Sequence, residues 1–130
     1  MTGESGIRSY KDLEVWQKAM SLAEDCYRAT AEFPREEVYG MTAQIRRAAV
    51  SIPANIAEGY GRDQTGSFIQ FLRIAQGSAR ELETHLILAG RIRLLRDHIR
   101  DGLLDECERI SKMLHSMIRT WESRRAWDNS

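Results

Sequence analysis

The sequence predicts an all-α protein: an antiparallel up-down four-helix bundle that forms one domain over residues 1–130. Apolar residues recur at three- and four-residue steps along four long segments, and the connections between these segments are short. No segment alternates apolar and polar residues as a half-buried strand does. A chain of 130 residues that is 42% hydrophobic is long and apolar enough to bury a core.

The first predicted helix begins at Asp12, a candidate N-cap, and ends at Phe33, because a proline disfavours helical geometry in the residue before it. Residues 1–11 and 123–130 are expected to be flexible ends. The apolar stripe of this helix comprises Leu13, Trp16, Met20, Ala23, Tyr27 and Thr30.

The second predicted helix keeps one apolar register across Pro53, which indicates one kinked helix rather than two helices. Proline has no N–H to donate to the carbonyl of Ala49, and its ring crowds that carbonyl, at a cost of about 3 kcal/mol in a regular helix. We therefore expect a kink near Ala49. The stripe comprises Met41, Ile45, Ala48, Ile52, Ile56 and Gly59.

The third and fourth predicted helices follow a glycine-rich segment, Gly59 to Gly66, that is predicted to be a loop. Ser67 is the expected N-cap of the third helix and Asp97 that of the fourth. Their stripes comprise Phe68, Phe71, Leu72, Ala75, Ala79, Leu82, Leu86 and Ala89, and then Ile99, Leu103, Cys107, Ile110, Leu114, Met117 and Trp121.

Several apolar residues of the second and third helices lie off these stripes. A lone bundle would leave some of them in water, so we expect a second copy of the protein to cover them. These residues are Val50, Ala54, Ala57, Ile69, Ile74, Ile87 and Leu88.

The composition excludes several classes of protein. Lysine plus arginine and aspartate plus glutamate each number 19, so no net charge attracts nucleic acid or an anionic membrane. Cys26 and Cys107 lie outside any zinc or disulfide spacing. Neither a signal-peptide core nor an apolar run of membrane-spanning length is present. A soluble, cytoplasmic protein without a cofactor is expected.

Polar residues form a line on the second helix, on a different face from its apolar stripe. We favour a structural interpretation, in which the line fixes the register of this helix against its neighbour or a second subunit. Pro53 and Glu81 of the third helix belong to the same set of residues. The alternative is a cavity or pore that holds a ligand or a phosphate. The line comprises Gln44, Arg47, Ser51, Asn55, Glu58 and Arg62.

A cluster of arginines lies in the turn between the third and fourth helices. Repeated by symmetry in an oligomer, it would form a basic ring that grips phosphates. Alternatively, these cations stabilise a helix end and are neutralised by Asp97, Asp101 and Asp105. The cluster comprises Arg91, Arg93, Arg96 and Arg100.

Enzymatic signatures are not found in the sequence. No histidine completes the Glu-x-x-His motif of di-iron bundles, and Glu81 with His85 is a weak metal signal. The segment "GYGRDQTG" lacks the lysine of a phosphate-binding loop. We therefore expect no enzyme and no metal.

Three segments carry a family resemblance: "YKDLEVWQKAM", "FPREEVYGMTAQIRRAAVSIPANIAEGYGR" and "FLRIAQGSARELETHL". They resemble the four-helix bundle proteins encoded within intervening sequences of bacterial 23S ribosomal RNA genes. The resemblance implies a homopentamer without an assigned activity. The family is also similar to the accessory protein of diversity-generating retroelements, a strongly basic pentamer that binds its reverse transcriptase and nucleic acid, whereas this chain is neutral.

The sequence thus favours a non-enzymatic homo-oligomer, pentameric by resemblance, that acts as a scaffold or interaction protein. The alternative is an RNA- or DNA-binding accessory module that uses the arginine ring.

Overall fold

The computed structural model describes residues 6–129. It contains four α-helices: α1 (Glu14–Thr30), α2 (Met41–Tyr60), α3 (Thr65–Arg91) and α4 (Asp97–Asp128). Two short 3-10 turns, Tyr10–Asp12 and Arg35–Glu37, precede α1 and α2. Each helix packs against the next in sequence and α4 packs against α1, and residues 6–129 contain no strand. The predicted antiparallel four-helix bundle is confirmed.

The core lies between the four helices and takes side chains from each of them. Its largest fully buried members are aliphatic, and burial of one such side chain contributes roughly 1.5–3 kcal/mol. They include Leu22 of α1, Ile45, Ile52 and Ile56 of α2, Leu72, Leu82 and Leu86 of α3, and Ile110 and Leu114 of α4. The members from α2, α3 and α4 lie in the stripes predicted from the sequence. The predicted stripe of α1 was partly wrong: Met20 is 37% and Tyr27 45% exposed, whereas Leu22, outside that stripe, is fully buried. Ile99 of the predicted α4 stripe is also exposed.

The helix starts differ from the predicted ones. Asp12 does not cap α1; its carboxylate accepts from the backbone N–H of Arg8 at 2.8 Å and so belongs to the preceding 3-10 turn. Ser67 does not cap α3, which begins two residues earlier at Thr65. Asp97 is the first residue of α4 rather than its cap. In each case the residue at the cap position has extended backbone and makes no side-chain capping bond.

The connection between α2 and α3 is shorter than the predicted Gly59 to Gly66 loop. Gly59 is buried within α2, where a Cβ would lie 2.6 Å from the Cβ of Phe71. Gly66 lies in the first turn of α3, and the guanidinium of Arg125 on α4 fills the space that a side chain there would need. Both glycines therefore permit close packing inside helices.

The end of α4 lies within the segment that was expected to be flexible. The helix continues past Ser123 to Asp128. The flexibility of residues 123–129 stays a prediction. Trp121 packs edge-on against Phe68 with ring centroids 5.3 Å apart, and Glu122 pairs with Arg73 of α3. These contacts tie the last turns of α4 to α3. Residues 1–5 and 130 of the predicted flexible ends lie outside the described residues.

Helix α2 runs without interruption through Pro53, which is buried. Two residues later, the Asn55 side-chain amide donates to the carbonyl of Ser51 at 2.8 Å and contacts the Ser51 hydroxyl at 3.0 Å. The amide thus adds a side-chain bond to the backbone beside the proline. The kink near Ala49 stays a prediction.

Candidate functional site

The polar line of α2 divides into two parts. Its first part lies along the groove between α2 and α3. Arg47 forms an ion pair with Glu81 of α3 and also donates to the Gln44 side-chain oxygen at 3.0 Å. His85, one turn after Glu81, lies 3.2 Å from the same carboxylate. The hydrogen bond with His85, followed by that with Arg47, lowers the pKa of the Glu81 carboxyl.

The serines at the helix centres form the second link between α2 and α3. The hydroxyls of Ser51 and Ser78 lie 2.7 Å apart, and Ser78 is buried. Asn55 completes this cluster through its bond to the Ser51 hydroxyl. These short side chains allow hydrogen bonding across the groove, because longer ones would hold the two backbones apart.

Glu58 and Arg62 form the other part of the line and pair with each other at 2.6 Å, Glu58 in the last turn of α2 and Arg62 just after the helix ends. The guanidinium of Arg62 lies 5.0 Å from the ring centroid of Phe71. Pro53 lies apart from the line: with Met20, Tyr27 and other residues it lines a depression of about 450 Å³ between α1 and α2.

Most of the apolar residues that the sequence assigned to a second copy are exposed. Val50 is 43% exposed, Ile74 43%, Ile87 41% and Leu88 45%. Ala54 is exposed and Ala57 is half-buried. Ile69 is 5% exposed and belongs to the core, so the bundle itself already covers it.

The arginine cluster lies around the turn that ends α3. The Leu94 N–H donates to the Ala89 carbonyl at 2.9 Å and the Arg93 N–H to the Gly90 carbonyl at 3.2 Å. This is the Schellman arrangement, in which glycine usually occupies the left-handed position. Here Arg93 occupies it, with φ 68°.

Arg100 behaves differently from the other three arginines. Its guanidinium pairs with Asp101 at 2.9 Å and with Asp97 at 3.3 Å, and the hydrogen bond to Asp101 raises the pKa of Arg100. Its stem packs where a Cβ on Gly90 would lie. Arg91, Arg93 and Arg96 are exposed, and no carboxylate within residues 6–129 pairs with them.

Two features between helices were not predicted from the sequence. The Arg46 Nε donates to the Thr30 hydroxyl at 2.8 Å, and its guanidinium lies 4.4 Å from the Tyr27 ring centroid, which links α2 to α1. The half-buried carboxyl groups of Asp25 on α1 and Glu106 on α4 line the same groove. Sequence spacing carries no signal for either feature, because each involves residues from different helices.

The described residues hold no cluster of three or more histidine, cysteine, aspartate or glutamate side chains suited to a metal ion. Burial raises the pKa of the Cys26 thiol to about 12 and raises that of Cys107 as well. Within residues 6–129, no helix combines the length and apolar character needed to cross a membrane.

A family model described as 23S rRNA-intervening sequence protein matches residues 11–116. The chain belongs to this family. It is similar to the crystal structure of a protein of unknown function from the S23 ribosomal protein family of Bacteroides thetaiotaomicron. The two are 28% identical with a TM-score of 0.73, and the match covers 80% of this chain and 97% of that chain. No curated protein matches the chain.

In this member of the 23S rRNA-intervening sequence protein family, parts of two of the three segments that carry the resemblance face each other. "SIPANIAEG" lies in α2 and "IAQGSARELET" in α3. The Ser51 to Ser78 contact joins them, and Arg47 reaches Glu81 one turn further along. The segments therefore form one helix–helix contact with a polar outer edge.

Proposed function

We propose that this protein is a non-enzymatic homo-oligomer that acts as a scaffold or interaction module, and that it assembles from five copies. The exposed apolar side chains of α2 and α3 carry the proposal, because excess apolar surface on two adjacent helices is most simply buried against another copy of the protein. The number five comes from the family resemblance. The depression beside Pro53, with Met20 and Tyr27 in its wall, is suited to receive an apolar side chain from a second copy.

The energetics support a second copy as the occupant. Val50, Ile74, Ile87 and Leu88 each leave about two fifths of their surface in water. Covering the exposed part of one such side chain contributes about 1 kcal/mol. In a symmetric ring every subunit contributes its own set, so several such side chains are buried at each interface.

The solution mass tests the proposal. We expect light scattering to give a mass near five chains of 14.9 kDa, about 75 kDa. Val50→Glu places a charge on the exposed apolar surface and should produce a smaller species. Thr120→Glu adds the same charge at an exposed position of α4 and should leave the mass unchanged. A monomeric wild-type protein would refute the proposal.

A second candidate function is RNA or DNA binding. The specific observation is that Arg91, Arg93 and Arg96 are exposed without carboxylate partners in the described part of the chain. In a ring, this group would repeat in every subunit and contact phosphates. Arg100 does not strengthen the argument, because two aspartates neutralise it.

Fluorescence anisotropy with a labelled single-stranded RNA tests this candidate. Binding should weaken steeply with salt, and changing Arg91, Arg93 and Arg96 to alanine should weaken it and reduce the salt slope by about three per subunit in contact. Arg119→Ala, at an exposed position of α4, is the matched control. The absence of binding at low salt would eliminate this candidate and leave the scaffold proposal standing.

A further inference from the structure

A groove between α1 and α4, on the side of the bundle away from the contact between α2 and α3, has the dimensions of a ligand site. It encloses about 670 Å³ beside the C-terminal half of α1. A second cavity of about 630 Å³ continues it and shares Gly102 and Glu106 with it. Small-molecule sites commonly enclose about 300–1,000 Å³. Its apolar wall comprises Ala29, Leu94, Leu95, Ile99 and Leu103.

Gly102 gives the groove its depth. A Cβ built at this position meets no side chain and no neighbouring helix within 4 Å. Gly59 and Gly90 differ, because a Cβ there would lie 2.6 Å from another residue. A glycine inside a helix is less favourable than alanine, and the packing of the described residues gives no reason for it here. The space that it leaves open belongs to the groove.

Two carboxyl groups meet where the cavities join. Asp25 of α1 and Glu106 of α4 both line the first cavity, and burial, followed by the neighbouring Asp25 carboxyl, raises the pKa of Glu106 to about 7. Near neutral pH Glu106 therefore still carries its proton in a large share of the molecules. Arg28 donates to Asp25 at 2.9 Å, and the charge of Arg109 partly opposes the rise at Glu106.

The other charged and titratable groups around the groove come from both helices and the turn before α4. They are Glu14 and Lys18 on α1, Glu32 just after α1, Arg96 in the turn, and His98 and Asp105 on α4, with the thiols of Cys26 and Cys107 buried nearby.

We propose that this groove binds a small primary amine with one hydrocarbon group. The ammonium group takes the place of the proton on Glu106 and also faces Asp25, and the hydrocarbon group lies against the aliphatic wall. An ammonium group offers three N–H donors to the two carboxylates and removes their mutual repulsion. Arg28 and Arg109 stand beside the pair and disfavour a second positive charge, so a monoamine fits better than a polyamine.

The exchange of a proton for an ammonium ion makes the binding release a proton and depend on pH. The amine enters as an ammonium ion, and the proton of Glu106 leaves for the solvent. The affinity should therefore fall about tenfold for each unit of pH below about 7 and become constant above it. Calorimetry in two buffers of different ionisation enthalpy measures the released proton directly.

n-Hexylamine is the probe, with an expected Kd on the order of millimolar for so small a ligand. Backbone NMR shifts should concentrate at Ile99, Gly102 and Leu103. Glu106→Gln should weaken binding at least about tenfold and abolish proton release, because a neutral amide has no proton to give up and no charge to offer. Gly102→Leu should fill the groove and block binding while the helix is retained.

Two controls separate this site from general effects. Glu108→Gln alters an exposed α4 carboxylate that pairs with Lys112 at 3.8 Å, and binding should be unchanged. n-Hexanol has the same hydrocarbon group without the charge and should bind at least about tenfold more weakly. Equal binding of the alcohol, unchanged binding to Gly102→Leu, or no shifts up to about 50 mM amine would each overturn the proposal.

Discussion

Replacing Arg93 with glycine should stabilise the protein. Arg93 occupies the left-handed position of the turn that ends α3, with φ 68°, and two backbone bonds to Ala89 and Gly90 hold it there. The side chain itself is exposed and pairs with no carboxylate in the described part of the chain. The substitution therefore changes the backbone preference at this position without disturbing the core.

The magnitude follows from two opposing terms. The left-handed conformation costs an L-residue other than glycine roughly 1–2 kcal/mol, and Arg93→Gly removes that cost. Glycine is more flexible in the unfolded chain, which returns roughly 0.5–1 kcal/mol. The net gain is about 0.5–1 kcal/mol, equivalent to a rise of about 3 °C in the melting temperature of a domain of this size.

Urea denaturation followed by circular dichroism measures this gain, at one fixed protein concentration because oligomer stability depends on concentration. Arg93→Ala is the matched control: it removes the same charge but keeps the Cβ, and should not stabilise. Arg91→Ala is a second control, because it removes the same charge at a position with helical backbone. If Arg93→Ala stabilises as much as Arg93→Gly, charge repulsion rather than backbone strain explains the gain, and the reasoning is wrong.

Three further predictions concern the core and the α1–α4 contact. Gly59→Ala should destabilise the protein by about 1–3 kcal/mol, because the added Cβ would lie 2.6 Å from a phenylalanine of α3. Gly102→Ala places its Cβ in open space and should stabilise the protein by up to about 1 kcal/mol. Equal denaturation midpoints for the two variants would contradict this. Cys26 and Cys107 should resist a disulfide reagent at about pH 8 until urea is added, since burial raises the pKa of both thiols; fast labelling of the folded protein would argue against it. The pKa of Glu106 rises from 4.5 to about 7 on folding. Protonated Glu106 therefore stabilises the fold fully below about pH 4.5, and this contribution is lost as the pH rises through about 7. Glu106→Gln should remove this part of the pH dependence of the unfolding free energy.

The four helices were predictable because apolar residues recur with a helical period along each of them, although the face that α1 buries was only partly predicted. The first residues of the helices were not predictable. Asp12 and Ser67 have the side chains of N-caps, yet Asp12 belongs to a 3-10 turn and α3 begins before Ser67. The approach of Arg125 to Gly66 illustrates the cause, because it involves a residue far along the chain that local sequence does not reveal.

For the polar line, too, the sequence predicted the helix face but not the contacts with the neighbouring helix. Spacing alone put Gln44, Arg47, Ser51 and Asn55 on one face of a helix, and the structure places them together. Spacing does not identify the partner across the groove, so the Ser51 to Ser78 contact and the Arg47 to Glu81 pair required the packing of α2 on α3. Asp25 and Glu106 gave no signal, because two carboxyl groups on separate helices form no sequence pattern.

Net charge was the least informative property for the arginine cluster. The balance of 19 cations and 19 anions predicts no attraction to phosphate, yet neutralisation is local. Asp97 and Asp101 lie beside Arg100 on the same helix and pair with it. Arg91 and Arg96, on either side of the turn at Arg93, have no carboxylate partner within residues 6–129. A neutral chain can therefore present a basic surface at one end of the bundle. The relevant charge is three arginines per subunit rather than the four that the sequence suggested.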